Sequence, residues 1–318
     1  MASKKGSVAL TAFFTNLFGN FPKLMLTNLL FAVPTAVLFG LFSLINSITA
    51  IKSNFILLLA LIPLFPFYAG VVQVTSHMVR EEENINVFQN FISGVKDNFL
   101  RFLVHGAVLY AAIFLSYYSI AMYSSLGKSN GVFYMPLALC IVVSVFFLFA
   151  FYYIPPMTVT FDISMKNIYK NSALMTFGEF KHNLVATFGI AVFALVCLTV
   201  LLCCYVPVAV IIATIVLAAL FIPSIVSFII NYSVYKPMYS MIVGKDDKSK
   251  EIDKKMENRR KGQFYDEEET KKSVADDFTD IKIDEDGDGD EYIYYNGKMV
   301  KRSVLLKLKS DAEKGGEE

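Results

Sequence analysis

Long apolar runs separated by short polar stretches fill the first three quarters of the chain. Crossing about 30 Å of hydrocarbon takes roughly 20 helical residues, and each run is about that long. A segment in lipid must satisfy all of its own backbone hydrogen bonds, so runs of this length predict helices. Six transmembrane helices are predicted, near residues 24–48, 55–79, 102–125, 135–161, 184–205 and 208–232.

The six spans are predicted to form three tandem helical hairpins. Each unit begins with an amphipathic segment and an Asn that is followed by an apolar residue. A first span, a tight turn and a second span that contains Ile-Pro come next. The Asn positions are Asn20, Asn98 and Asn183, and the Ile-Pro prolines are Pro63, Pro155 and Pro223. All hairpins start on the same side, which is typical of parallel rather than inverted repeats. The alternative is chance, because Asn at a helix start and Pro in a span are both common.

The three prolines predict helix kinks. Each lacks a backbone N–H and frees the carbonyl four residues earlier, in a medium without water. Such kinks line a cavity or act as hinges in some proteins, and in others they only shape the bundle. In the first span, Ala32, Ala36 and Gly40 recur every fourth residue, which predicts a face for close helix packing.

Two segments between spans, 80–101 and 166–182, have apolar residues at helical spacing, such as Val87, Phe91 and Val95. This pattern predicts amphipathic helices that lie along the membrane interface.

Composition supports the membrane class and divides the chain. Hydrophobic residues make up 55% of the chain and charged residues 18%, with a mean hydropathy of +0.51. Residues 1–244 hold 12 Lys/Arg against 6 Asp/Glu, whereas 245–318 hold 17 against 22. The sequence therefore predicts a six-helix transmembrane domain over 1–244 and a charged, mostly disordered tail over 245–318.

Lysine and arginine also predict the orientation. Ten of these residues before the tail flank one side of the spans, and only Lys52 and Lys128 flank the other. The positive-inside rule then places both termini in the cytoplasm of a multi-pass protein of the cell membrane. The outer connections are short, so recognition is expected within the membrane or on the cytoplasmic side.

The spans contain no acidic or basic residue near their middle, which disfavours ion-coupled or proton-coupled pumping. His77 and His105 lie near span ends and are interpreted as interfacial anchors. Polar and aromatic side chains are the candidates for lining a ligand site, with helix packing as the alternative. These candidates are Asn28, Gln73, Tyr117, Tyr118, Tyr152, Tyr153 and Asn231.

Catalysis, metals and cofactors are not expected. The four cysteines lie in apolar runs and show no disulfide or zinc spacing. No motif of an intramembrane protease, hydrolase or P-loop protein is present. Asp284 to Gly289 matches the front of a calcium loop, but Tyr295 stands where the loop needs Glu, so a solvated acidic linker is the interpretation.

The end of the tail predicts a β-hairpin, preceded by a short helix near 246–261. Asn296-Gly297 supplies the positive φ values of a two-residue turn between short apolar strands. Two strands alone are marginal in water, so this segment is expected to dock on a partner or on the bundle. The residues expected to dock are Tyr292, Tyr294, Asn296, Gly297, Leu305 and Leu306.

Three stretches resemble the YesL-like family of bacterial integral membrane proteins. They are the run from Asn28 to Pro34, the stretch from Gly70 to Arg80 that ends in His-Met-Val-Arg, and Phe88-x-x-Phe91 leading into Lys96-Asp-Asn-Phe. The resemblance spans roughly residues 13–239 and leaves out the tail. The family has no established activity, and its members are often encoded beside carbohydrate uptake systems.

Three functions follow as hypotheses. The first is a non-enzymatic accessory or scaffold for a carbohydrate transport or cell-envelope complex, bound through the tail, with the lipid bilayer as a further partner and no nucleic acid. The second is a transporter or channel for a small solute or lipid that uses the Pro-kinked hairpins. The third, a lipid-modifying enzyme, lacks a candidate nucleophile.

Overall fold

The computed structural model describes residues 2–49, 53–82, 84–243, 292–295 and 298–306. The chain is almost entirely helical within these ranges, and two short strands follow near the C-terminus. In chain order the elements are α1 (Ala2–Gly19), α2 (Phe21–Ile48), α3 (Asn54–Leu58), α4 (Leu61–Val79), α5 (Val87–Ser129), α6 (Tyr134–Thr160), α7 (Met165–Gly178), α8 (Phe180–Leu202), α9 (Pro207–Leu220), α10 (Ile222–Val243), β1 (Tyr292–Tyr295) and β2 (Lys298–Lys301).

Local sequence explains where several helices begin. The side-chain oxygens of Ser53, Asn86 and Ser164 accept backbone N–H groups two or three residues further on, at the starts of α3, α5 and α7. The first N–H groups of a helix have no partner within the helix, so a Ser or Asn at this position stabilises the start.

Five helical segments among the described residues are long and apolar enough to cross a membrane, and the number is six when one bent pair is counted as a single span. The five are Phe21–Ile48, Asn54–Val79, Val87–Ser129, Gly131–Thr160 and Phe180–Leu202. The bent pair is α9 with α10, at an angle of 45°. The chain is thus a helical protein with the features of a membrane protein.

The prolines of the three Ile-Pro pairs lie in different settings. Pro63 lies just after the start of α4, where α3 and α4 are separated at Leu59 and Ala60. Pro223 lies at the start of α10, directly after the break at Phe221. Pro155 lies inside α6, which continues as one helix to Thr160.

The segment 80–101 differs from the prediction of a separate interfacial helix. Its part from Val87 onward is the first portion of the 43-residue helix α5, and it packs on α4. Cβ atoms added to Gly70 or Gly94 would lie 2.7 Å from Phe91 and 2.6 Å from the Gln73 Cβ. The backbones of α4 and α5 are therefore too close for any side chain there, and this contact holds the segment against α4.

A third glycine, Gly106, shows the same close approach between α4 and α5. A Cβ on Gly106 would lie 2.8 Å from the Phe65 Cβ and 3.0 Å from the Ile62 carbonyl oxygen. Together with the Gly94–Gln73 contact, this shows that α4 and α5 run antiparallel. Between these contacts lies an apolar cluster of Phe65, Ala69, Val72, Phe102 and Val159.

Buried side chains concentrate in α4, the first part of α5, the last part of α6 and most of α10. Large apolar side chains are exposed along most of α2, the first half of α6, α8 and α9. The predicted packing face of α2 belongs to this open surface, because Ala36 and Gly40 are exposed and a Cβ on Gly40 would meet nothing within 4 Å. Broad apolar exposure is what a lipid-facing surface requires.

The chain divides into two compact units, Met1–Val159 with Ser164–Met238, and Thr160–Ile163 with Tyr239–Glu318. In the second unit, β1 and β2 pair antiparallel with Tyr292 opposite Lys301 and Tyr295 opposite Lys298. These strands occupy the two segments from which the sequence predicts a hairpin. The predicted tail helix near 246–261, the Tyr294 side chain, Asn296 and Gly297 lie outside what the structure describes.

Candidate functional site: the buried polar groups

The candidate lining residues lie at several separate places in the bundle. Tyr117 and Tyr118 are 59% and 48% exposed, and their rings contact Phe55. The remaining candidates, Asn28, Gln73, Tyr152, Tyr153 and Asn231, are all at most 7% exposed. Each of these five has its own hydrogen-bond partner, and they form four local clusters rather than one shared lining.

Asn28 bridges the break between α9 and α10. Its Nδ2 donates to the Ala218 carbonyl at 2.9 Å, and its Oδ1 accepts the Ser224 backbone N–H at 2.9 Å. Ser224 directly follows Pro223, which has no N–H of its own. The Asn28 amide thus serves backbone groups that a continuous helix would pair internally, and it does so from α2, while Phe21 stacks on Phe221 at the same break.

Asn231 belongs to a second cluster, between α4 and α10. Its Nδ2 lies 3.0 Å from the Thr75 hydroxyl and 3.0 Å from the Ser227 carbonyl oxygen, and the Thr75 and Ser227 hydroxyls are 2.8 Å apart. The Asn231 Oδ1 is buried and has no hydrogen-bond partner among the described residues. This cluster joins α4 to α10, and the Asn231 Oδ1 remains an acceptor without a partner among the described residues.

Tyr152 and Tyr153 belong to a third cluster, where α6 meets α7 and α8. The Tyr153 hydroxyl donates to Asn183 Oδ1 at 2.6 Å, and the Asn183 Nδ2 donates to the Thr176 carbonyl at 2.9 Å. The Tyr152 hydroxyl lies 3.1 Å from the Thr187 hydroxyl. Asn183 thereby fixes the corner at Glu179 between α7 and α8.

Gln73 belongs to a chain of polar groups at the end of α4. Its amide nitrogen lies 2.9 Å from His77 Nε2, and His77 Nδ1 contacts the Glu82 carboxylate. Because an amide nitrogen can only donate, His77 Nε2 accepts and the ring proton is on Nδ1, which donates to Glu82. Arg80 Nε lies 3.3 Å from the other oxygen of Glu82, so the chain ends in an ion pair.

His105 is the centre of a contact between α5, α6 and α7. The Thr158 hydroxyl donates to the Ile154 carbonyl at 2.7 Å and therefore accepts from His105 Nε2 at 3.0 Å. His105 Nδ1 then accepts the Tyr169 hydroxyl at 2.8 Å. Burial raises the pKa of Tyr169, so its hydroxyl keeps the proton that this bond requires.

The histidines correct one interpretation from the sequence. His77 and His105 were expected to be interfacial anchors, but they are 6% and 0% exposed and pair with side chains. The sequence analysis also missed Thr75, Ser227, Thr158 and Tyr169 as polar partners. For Thr75, Ser227 and Thr158 a hydroxyl group inside an apolar run was the available signal, and Tyr169 in the polar segment of α7 gave none, since all four have partners far away in the chain.

The structure also brings two distant segments of the second unit together. The Asp162 backbone N–H donates to the Met299 carbonyl at 3.1 Å, and Phe161 and Met299 form a parallel β-bridge. Phe161 and Tyr239 are in ring contact at 6.4 Å. Met299 and Leu305 are buried, at 7% and 2% exposure, and Leu306 is half-buried. Lys301 lies over the Tyr292 ring at 5.8 Å.

The chemistry available at these places is hydrogen bonding. No group of three or more His, Cys, Asp or Glu side chains that could hold a metal occurs among the described residues. The polar side chains join helices, satisfy interrupted backbone and orient rings. Among the residues that the structure describes, the buried oxygens Asn231 Oδ1 and Gln73 Oε1 have no hydrogen-bond partner in these clusters.

Comparison with known proteins gives one match. A family model described as a protein of unknown function, DUF624, matches residues 24–120. The matched range begins in α2 and ends in α5, so it includes α3, α4 and the glycine contacts between α4 and α5. No curated protein and no solved structure matches the chain. Over this range the chain is similar to a family whose function is unknown.

Proposed function

We propose that the chain is a non-enzymatic integral protein of the cell membrane that acts as an accessory or scaffold for a carbohydrate transport or cell-envelope complex. The observation that carries this proposal is the dispersal of the buried polar groups. A solute site needs several polar groups that converge on one ligand. Here Asn28, Tyr153 and Asn231 each serve a different pair of helices.

The proposed topology has six spans with both termini in the cytoplasm. The distribution of Lys and Arg supports it, since ten lie on one side of the spans before the tail and two on the other. The bent pair α9 and α10 then counts as the sixth span. With short outer connections, the tail offers the main surface for a partner.

The proposal includes three tandem hairpins. In each proposed unit the amide nitrogen of the lead-in Asn donates to a nearby backbone carbonyl. Asn20 bonds Asn16 at 3.1 Å, Asn98 bonds Gly94 at 3.1 Å, and Asn183 bonds Thr176 at 2.9 Å. The acceptor is four residues earlier for Asn20 and Asn98 and seven residues earlier for Asn183, and an amide bonded to preceding backbone in each unit supports the repeat.

The link to carbohydrate transport depends on the YesL-like resemblance. The DUF624 match over residues 24–120 lies within the range of that resemblance and is consistent with it. We carry over no catalytic residue, because the family has no established activity. The proposed partner is a membrane transport complex that contacts the tail, with neither a cofactor nor nucleic acid involved.

Affinity purification tests the accessory function. Full-length protein with a tag at residue 318 is expected to retain a transport or envelope complex in mild detergent. The variant Met299→Asp places a charge on a buried side chain of β2 and is expected to lose that complex. Ser303→Asp, at an exposed position, is the matched control. Retention of the same proteins by both variants, or of none by the wild type, contradicts the proposal.

The second candidate is a transporter or channel for a small solute or lipid. The break at Phe221 favours it, because interrupted helices with paired backbone groups form substrate sites in several transporter folds. Solute flux by the purified protein alone in liposomes supports this candidate. Absence of flux, together with a retained complex, supports the accessory.

A further inference from the structure

Helix α7 carries an exposed stripe that changes from basic to apolar along its length. Lys166, Lys170, Leu174 and Phe177 are spaced by four, four and three residues, so they lie on one helix face. All four are exposed, with Leu174 at 53% and Phe177 at 76%. We call these four residues the α7 stripe. Its two lysines and its two apolar residues are separated along the axis, and the stripe is about 16 Å long.

The opposite face of α7 is fixed to the bundle. Ile168 and Met175 are buried at 0% and 1% exposure, and the Tyr169 hydroxyl donates to His105. At the end of the helix, the Thr176 carbonyl accepts the Asn183 amide. These contacts on the buried face fix the rotation of α7 about its axis. The α7 stripe therefore faces away from the bundle.

The apolar end of the stripe joins the exposed surface of α6. The Phe177 and Phe146 ring centroids are 5.2 Å apart, and next to Phe146 are Phe147 and Leu148, at 38% and 47% exposure. This surface lies on a helix long and apolar enough to cross a membrane. A molecule along the stripe therefore meets cationic groups at one end and membrane-type surface at the other.

The geometry points to the α7 stripe as a binding site for an anionic phospholipid. The lipid phosphate lies against Lys166 and Lys170, and an acyl chain lies along Leu174 and Phe177 toward Phe146. Lysine ammonium groups attract anionic headgroups, and their effect adds to the burial of apolar surface. The inference needs only that the chain is embedded in a membrane, so it is independent of the proposed accessory function.

The combination of lysines and exposed apolar side chains in the α7 stripe favours an anionic phospholipid over the acidic tail of the same chain as the bound molecule. An acidic peptide would pair with the lysines but would leave a Phe side chain with 76% exposure next to an apolar surface. The one acidic residue that directly follows α7, Glu179, contacts His182 at 2.9 Å. Glu179 is thus at the apolar end of the stripe, and the acidic residue nearest to the lysines in the chain is Asp162, four residues before Lys166.

Native mass spectrometry of the full-length protein in a neutral detergent tests the site. Phosphatidylglycerol and phosphatidylcholine with identical acyl chains are titrated separately, and glycerol 3-phosphate serves as the headgroup without chains. We expect phosphatidylglycerol to bind most tightly and glycerol 3-phosphate not to bind. Lys166→Gln with Lys170→Gln should weaken phosphatidylglycerol binding by about 25-fold, at about fivefold for each lysine.

Two further variants make the result specific. Lys128→Gln changes an exposed lysine at the far end of α5 and should leave binding unchanged. Phe177→Ala should weaken binding of both phospholipids, since each has an acyl chain. Equal binding of the two phospholipids by the wild type overturns the inference. An unchanged affinity for phosphatidylglycerol in the double lysine variant also overturns it. If the tail is then cleaved faster by protease in that variant than in the wild type, the α7 stripe binds the tail instead.

Discussion

At the scale of single residues, the polar side chains within the helices bond the backbone as well as each other. Asn28 and Asn183 both use an amide to hold chain that is not in regular helix, near Phe221 and near Glu179. A buried backbone group without a partner is costly where water is absent. These amides are therefore expected to contribute to stability out of proportion to their size.

Replacement of Asn28 by Ala tests this expectation. The substitution leaves the Ala218 carbonyl and the Ser224 N–H without their side-chain partner, and the expected loss is about 1–3 kcal/mol in the free energy of unfolding. Unfolding in mixed micelles, followed by circular dichroism, measures it. Asn167→Ala, at an exposed position, should change the value by less than about 0.5 kcal/mol. Equal stability of the two variants would contradict the role of Asn28.

His105 and Tyr169 should be energetically coupled, because the histidine nitrogen accepts the tyrosine hydroxyl. A double-mutant cycle with His105→Phe and Tyr169→Phe is expected to give a coupling energy of about 1 kcal/mol. The same unfolding assay measures all four proteins. A cycle with Tyr117→Phe in place of Tyr169→Phe should give no coupling, since Tyr117 is exposed near Phe55. Additive effects in the first cycle would rule out the bond.

At the scale of elements, the contact between α4 and α5 depends on glycine. Hydropathy predicts both helices, because it needs only the length and composition of a run. It does not predict their register, which depends on which small residues meet. In the sequence Ala32, Ala36 and Gly40 look like the packing face, yet Ala36 and Gly40 are exposed and the close approach is at Gly70, Gly94 and Gly106. The helix predicted within 80–101 begins at Val87 and continues without a break into the following span, which hydropathy alone does not indicate.

Gly94→Ala is expected to destabilise the protein by about 1–3 kcal/mol, because the new Cβ would lie 2.6 Å from the Gln73 Cβ and 3.1 Å from the Ala69 carbonyl oxygen. Gly40→Ala is the matched control inside α2, where the new Cβ meets nothing within 4 Å. Since Ala favours helix over Gly, this control should stabilise by up to about 1 kcal/mol. Thermal unfolding in one detergent compares the two, and an equal shift would refute the close contact.

At the scale of the whole molecule, composition and hydropathy predict the membrane class and most of the helices. The candidate site was harder to predict. Asn28 is one of the candidate lining residues chosen from the sequence, but its hydrogen-bond partners are 190 and 196 positions away, and no local pattern identifies them. Tyr117 and Tyr153 look equivalent in the sequence, although one is exposed and the other bonds Asn183.

The proposed orientation is tested with the native cysteines. Cys203 is exposed at the end of α8, in the connection to α9 that is proposed to face the outside, whereas Cys197 is buried. A membrane-impermeant maleimide is expected to label intact cells that express the protein. The variant Cys203→Ser with Cys204→Ser should lose most of this label. Labelling that appears only after the cells are permeabilised would reverse the topology.

The pairing of Phe161 with Met299 has a consequence for biosynthesis. Phe161 leaves the ribosome before α7 to α10 are made, and Met299 follows only after all of them. The bridge between these residues can therefore form only when the last helix has been synthesised. A chain that stops before Met299 cannot form this bridge, and its Asp162 N–H lacks the Met299 carbonyl as an acceptor.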